Sequence, residues 1–312
     1  MGVVALAGGV GAGKFLRGLV RVVPPEDVTV LVNTGDDIVL HGLHVSPDVD
    51  SVTYWLAGVA DRERGWGRAG ETFRAAEELR SLRGPGSWFN LGDLDLATHL
   101  YRTGLLAGGM TLTEATVWMC ERFGISARVL PMTDDRVETR VVVVDEDGRE
   151  LDLHFQEYWV ERGARDDVKD IRYRGARTAR TTAPALIESA DAVVICPSNP
   201  VASIGPILAL PGIRDALARR RDRVVGVSPI VGGAPLRGMA DKLMPVAGLE
   251  VSAVGAARAY AGLLGGWVID DADRRLAGHV EATGVRVGVT DTIMTDDEAA
   301  EALARFALEL MQ

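Results

Sequence analysis

The chain has 312 residues, 47% of them apolar, and a formal charge of −10 with a pI near 5.1. Such acidity excludes a nucleic-acid groove or an anionic membrane surface as the main partner. No apolar run reaches the roughly 18 residues of a membrane span. The N-terminus lacks the charged start and cleavage site of a signal peptide, so a cytoplasmic protein is expected. Cys120 and Cys196 fall in separate elements and suggest no disulfide framework. The length allows two domains, or one large α/β domain with an insertion.

The apolar run Val3 to Ala7 drops into Gly8-Gly9-Val10-Gly11-Ala12-Gly13-Lys14 and then the apolar-periodic Phe15 to Val20. Strand, glycine turn and helix is the arrangement in which backbone N–H groups face an anion. Gly8 to Lys14 fits the P-loop pattern, but Phe15 stands where a hydroxyl would hold magnesium. The dinucleotide pattern begins at Gly9 and Gly11 and finds Lys14 at its third glycine. The stretch reads as a phosphate or nucleotide loop of a different family, with Gly8, Gly9, Gly11 and Gly13 as its cradle. A tight turn that binds nothing is the alternative.

A second run, Val28 to Val32, ends in Asn33-Thr34-Gly35-Asp36-Asp37, and Ser46-Pro47-Asp48-Val49-Asp50 comes next. A carboxylate about 4 Å from a phosphate oxygen repels it by roughly 1 kcal/mol in water and about 4 kcal/mol at an effective dielectric near 20. Asp36, Asp37, Asp48 and Asp50 beside a phosphate cradle therefore require a divalent cation between the like charges. Solvated turn carboxylates are the alternative.

From Ser51 to Ala127 the spacing is helical: Ser51 to Gly58, Thr72 to Leu82, Leu94 to Leu106 and Thr113 to Phe123. Thr111-Leu112-Thr113-Glu114 reads as a capped helix start, and Gly124 closes that helix. Two loops carry aromatics among polar groups, Trp66 in one and Trp88 in the other, before Asn90 and the Leu91 to His99 block. They suit a planar ring ligand or a satellite core equally well. Beyond Arg128 the pattern turns β. Thr139 to Val144 and Leu151 to Phe155 form a hairpin through Asp145 to Gly148. His154 reads as a strand histidine, and the basic stretch Arg162 to Arg180 as a solvated face.

A second α/β half begins near Pro184. The run Ala192 to Cys196 ends in Pro197-Ser198-Asn199-Pro200, and Val224 to Val227 ends in Ser228-Pro229-Ile230-Val231-Gly232. Ligands of open parallel sheets sit at the carboxyl ends of strands, and four such ends here are small and polar. Arg237 and Lys242 offer positive charge to a diphosphate. Val285 to Val289 reads as a strand, and Asp296 to Leu310 as a closing helix. The expected division is an α/β core over 1–50 and 128–312, with a β-hairpin near 139–160, and a mostly helical insertion over 51–127.

These blocks, from Gly8-Gly9-Val10-Gly11 through Asn33 to Asp37, Ser46 to Asp50, Leu91 to His99, His154 to Glu157, Pro197 to Pro200, Ser203 to Ile207 and Ser228 to Gly232, resemble the 2-phospho-L-lactate transferases of coenzyme F-420 biosynthesis over nearly the full length. The resemblance implies a Rossmann-like, mostly parallel sheet, a homodimer, and a magnesium-dependent transfer to the deazaflavin Fo. The donor would be a guanosine diphosphate-linked acid, lactyl or enolpyruvyl, with GMP leaving. Archaeal-looking members carry Lys or Arg where this chain has Asn90. Fo brings its own nucleophile, the terminal ribityl hydroxyl, so alignment, a metal and a base for the hydroxyl proton suffice. Asp50 is then the first catalytic candidate, with Asp36, Asp37, Asp48 and Asp50 as metal ligands. Asn33, Ser198, Asn199, Ser228 and Gly232 would line the donor, Asn90 would face Fo, and Trp66 or Trp88 would pack on its ring. The rival classes are the gluconeogenesis-factor-like regulators, which bind nucleotide sugars, and a P-loop NTPase, which Phe15 disfavours.

Overall fold

The computed structural model describes residues 1–82 and 86–311. Its strands in chain order are β1 (Val3–Ala7), β2 (Val28–Val32), β3 (Ile38–Leu40), β4 (Leu43–Val45), β5 (Arg128–Pro131), β6 (Glu138–Val144), β7 (Glu150–His154), β8 (Asp167–Arg174), β9 (Ala192–Ile195), β10 (Val224–Val227), β11 (Ile230–Val231), β12 (Ala234–Pro235), β13 (Gly266–Asp270) and β14 (Arg286–Thr290). Seven of them form a wholly parallel sheet in the order β14-β13-β10-β9-β1-β2-β5.

The sequence dictates that placement. β1, β9, β10 and β13 are buried at every position, which is how strands read when helices cover both faces of a parallel sheet. Successive residues of β1 feed opposite cores. Val4 and Leu6 pack with Ile187, Ile207 and Trp267, while Val3, Ala5 and Ala7 pack with Phe15, Leu19 and Leu303. The latter three residues belong to the helix α1 (Gly9–Val22) and to the C-terminal helix Asp297–Glu309.

β1 and β9 mark the point where the connections diverge. β2 and β5 lie on one side of them, and β10, β13 and β14 on the other. Such a switch point opens a crevice outside the carboxyl ends of the strands.

Between β2 and β5 lie the β3–β4 hairpin and four helices: α2 (Pro47–Ala57), α3 (Arg74–Ser81), α4 (Asp93–Ala107) and α5 (Leu112–Arg122). α5 carries the expected capping box, with Thr111 and Glu114 bonded reciprocally. No helix among the described residues is long and apolar enough to cross a membrane.

Three elements differ from the sequence reading. The glycine turn shrinks to Gly8 and Gly9, the latter at φ +71°, and α1 already contains Gly11 and Gly13. α2 starts at Pro47 rather than Ser51, since proline at the first helical position is pre-set for a helix and acidic residues favour the first turn. That puts Asp48 and Asp50 on a helix. The basic stretch Arg162 to Arg180 contains β8, which completes a three-stranded antiparallel sheet β7-β6-β8. Its charged side chains do face outward, but its backbone continues the ladder.

Candidate functional site

Asn33 comes directly after β2, and its side chain organises the acidic turn. Its Oδ1 accepts the Gly35 N–H at 2.8 Å, while its amide nitrogen donates to Asp36 Oδ1 at 3.1 Å and Asp48 Oδ2 at 2.9 Å. Gln156, just past β7, donates to the other Asp36 oxygen at 3.0 Å. Asp37 takes the Ser46 hydroxyl at 2.7 Å and lies 3.1 Å from His44 Nε2, both on one oxygen. Its other oxygen, Oδ1, is buried with no hydrogen-bond partner among the described residues.

Three carboxylates thus share one nest, Asp36 and Asp48 buried and Asp37 at its half-buried mouth. Burial, then the charges of Asp48 and Asp37, pushes Asp36 well above the usual carboxylate range. Burial raises Asp48 to about 7 against the hydrogen bonds from Asn33 and the Gly9 N–H. Burial likewise raises Asp37, opposed by His44 and Ser46. A divalent cation with oxygen ligands would relieve such repulsion, and Asp37 has an oxygen free to meet one.

The glycine turn meets this nest directly. A Cβ on Gly8 would lie 2.5 Å from Asp48 Oδ2 and 2.6 Å from the Ser203 side chain, so any larger residue would have to displace Asp48. The Gly9 N–H faces Asp48, which occupies the anion seat at the start of α1. Ser198, beyond β9, donates to the Gly8 carbonyl at 2.8 Å, and Asn199 Oδ1 accepts the Val201 and Ala202 N–H groups. Gly8, Gly9, Asn33, Asp36, Asp48, Ser198 and Asn199 therefore converge at the β1/β9 switch point. Gly11 and Gly13 serve packing, the first against the Pro197 carbonyl and the second against the Trp55 ring.

Asp50 stands in a different set. Arg102 of α4 binds both of its oxygens, through Nη1 at 3.0 Å and through Nη2, and His99 Nδ1 lies 3.6 Å away. His99 Nε2 is 3.4 Å from Asp95, which accepts the Tyr54 hydroxyl at 2.6 Å. Burial pushes Asp95 up, but His99 and Tyr54 outweigh it and the net shift is downward. Asp50, Asp95 and His99 could each turn an atom toward one ion. Among the described residues they form the one such set whose candidate ligand atoms already lie within 4.8 Å of one another, and a cation there would press against the Arg102 guanidinium.

The remaining candidates scatter. Ser228 and Gly232 come after β10. Ser228 Oγ donates to the Ile230 carbonyl, and the Gly232 N–H bonds Asp273 at 3.0 Å. Asn90 is exposed and accepts from Arg80 at 3.2 Å. Trp88 lines a cleft of about 1470 Å³ that also takes in Asp37, His44 and His154. Trp66 lies outside that lining and packs edge-on to Phe73. Lys242 donates to the Ala164 carbonyl and Arg237 to those of Arg64 and Glu63.

Two residues gain weight from the structure. His154 Nε2 lies 3.1 Å from the Asp37 carbonyl, and Nδ1 accepts the Gln156 N–H at 3.2 Å. That pairing sets one neutral tautomer, with its proton on Nε2, and burial lowers the imidazole pKa. Together with Gln156, His154 ties the antiparallel sheet to the acidic turn. The signals in the sequence were their position at the end of an alternating strand and their place in one of the blocks that carry the family resemblance.

The profile of the family described as "2-phospho-L-lactate transferase CofD" matches residues 3–304. A phosphoenolpyruvate transferase of Streptomyces griseus is 50% identical over 100% of this chain and 99% of its own length. One from Mycolicibacterium smegmatis is 43% identical over 99% and 98%. Among solved structures, a protein member of the UPF0052 family from Bacillus halodurans aligns with a TM-score of 0.60 at 17% identity, covering 98% of each chain. That likeness concerns the fold.

Proposed function

Since the chain belongs to the 2-phospho-L-lactate transferase CofD family, a family of transferases, we propose that it moves a phosphoenolpyruvyl or phospholactyl group from a guanosine diphosphate-linked donor to the terminal ribityl hydroxyl of Fo. The observation that carries this reading is the crowding of Asp36, Asp37 and Asp48 at the sheet's switch point, with Asp37 lining a cleft large enough for a tricyclic ring. The relatives' name favours the enolpyruvyl donor.

Asp36, Asp37 and Asp48 would hold magnesium, which supplies neutralisation of the phosphate charge when bound. Asn33 and Gln156 keep the carboxylates apart and oriented, and His154 holds the turn that carries Asp37. Gly8 lets Asp48 and Ser203 close against the turn, and the donor's phosphate would approach the metal from the Ser198 and Asn199 side. The cleft takes Fo with its ring toward Trp88 and its ribityl chain toward Asp37. Asp50 contributes from behind, anchoring the first turn of α2 through Arg102 and so positioning Asp48.

Incubation with magnesium, Fo and freshly guanylylated phosphoenolpyruvate, followed by mass analysis of the deazaflavin, tests the reading. A product bearing the enolpyruvyl phosphate with release of GMP is expected. Unchanged Fo in the presence of folded protein, with either the enolpyruvyl or the lactyl donor, would refute it.

A further inference from the structure

Like charges converge without adequate counter-charge at a second place, and there they are positive. Lys14 lies in the second turn of α1, partly buried, with its ammonium 3.4 Å from the Met294 carbonyl and no carboxylate partner among the described residues. It shares the Trp55 ring with Arg62: the ammonium is 5.6 Å and the guanidinium carbon 6.0 Å from the ring centre. Arg237 enters from the segment after β12, held by the carbonyls of Arg64 at 2.6 Å and Glu63 at 3.3 Å, again with no carboxylate partner among the described residues. Asp297 is the nearby acid, and both Arg17 and Arg62 draw on it.

Burial, followed by the charges of Arg237 and Arg62, pulls the Lys14 ammonium below the usual lysine range. The fold holds a cation where its neighbours repel it, in a chain whose net charge is −10. These residues lie along the same carboxyl edge of the sheet as the acidic nest, since Met294 comes after β14 and Arg237 after the β10 segment. Gly9 and Lys14 are five helical steps apart, a rise of about 7.5 Å. One polyanion can therefore reach both places.

We propose that Lys14, Arg62 and Arg237 form an anion site for a second acidic group of the donor, either a phosphate or the carboxylate of the acid being transferred. It rests on the donor proposed above. Lysine supplies a compact charge and arginine a planar fork that grips carboxylate or phosphate through two N–H groups. The site gives the donor a fixed direction, with one charge at the cation nest and another at this cluster.

The test uses Lys14→Met, Lys14→Arg and Arg237→Gln in the full chain, with thermal unfolding and donor kinetics as readouts. Inorganic pyrophosphate probes the phosphate source and malonate the carboxylate source, each without magnesium. Lys14→Met is expected to raise the melting temperature of the ligand-free protein, because a repelled, desolvated charge is gone, and to lose most of the rise caused by the anion. Donor KM should climb about tenfold or more in Lys14→Met and Arg237→Gln, the loss of one charge-assisted bond, with kcat changed less. Lys14→Arg should retain most of the anion response. A parent protein that responds to neither anion, or a Lys14→Met variant with the parental response or donor KM, overturns the anion site. Failure of the parent to modify Fo defeats the transferase reading instead, whatever pyrophosphate does.

Discussion

The buried aspartates differ in what removing them should do. Asp48→Asn takes one charge from a crowded nest and keeps an oxygen for Asn33. The metal-free variant should melt no lower than the parent, while the stabilisation given by magnesium disappears; a large loss of metal-free stability would contradict the nest. Asp50→Asn leaves the Arg102 guanidinium, 1% exposed, without its counter-charge. Breaking a buried pair of this kind costs about 3–5 kcal/mol, so the variant should melt several degrees lower with or without magnesium. The pH dependence comes from the raised carboxylate. Asp48 titrates near 7 in the folded chain against 3.8 unfolded, so the folded state holds more protons between those values. Metal-free stability from this group should therefore fall as pH rises from about 4 to about 7. Saturating magnesium should flatten that slope, and unfolding curves across the range would show it. The residue types of this nest were legible in the sequence, because Asn and Asp at strand ends and helix starts announce polar turns. Which carboxylate meets which partner was not, since Asn33, Gln156 and Arg102 find their places only through tertiary packing.

At the level of elements, local chemistry explains both what the sequence announced and what it concealed. The capping box of α5 and the β6–β7 hairpin, with its Asp145 to Gly148 turn and the alternation of β7, were plain, because short-range patterns settle them. The start of α2 was hidden, because its first turn is filled with acidic residues that read as a loop until Pro47 is taken as a first helical residue. β8 was hidden because its outward charges mask a strand whose pairing comes entirely from β6. The glycines split in the same way. Gly18 of α1 has no room for a Cβ, because the backbone of Ala300 in the C-terminal helix lies against it. Gly18→Ala should push the two helices apart, at a cost of about 1–3 kcal/mol, and lower the melting temperature while metal affinity holds. A variant as stable as the parent would mean the helices can slide. Gly8→Ala should do the reverse, leaving stability closer to the parent and weakening magnesium binding by displacing Asp48.

For the molecule as a whole, the seven-stranded parallel sheet and its inserted helices arose from buried strand runs and helical spacing, and the switch point from strand order. What no window of sequence contained was the meeting of residues near 8, 33, 48, 156 and 198. A ligand that binds only the assembled nest stabilises the fold by mass action, by about 2.7 kcal/mol at one hundred times its dissociation constant. Magnesium titrated against thermal unfolding should give a concentration-dependent rise that a chelator reverses. Absence of any shift at millimolar magnesium would remove the cation from the nest.

Because β9 fills the slot beside β1, a ribosome must deliver nearly two hundred residues before the first strand gains its second neighbour. Until then the nascent chain has β2 but not the Ser198 clasp on Gly8, and Gln156 has only just emerged. Before β9 docks, Gly8 and the Asp48 it abuts lie open on the side that Ser198 and Ser203 later close. Completion of the acidic turn is thereby tied to the arrival of β9, well before synthesis ends: a product truncated ahead of β9 would carry the same aspartates in an unfinished nest.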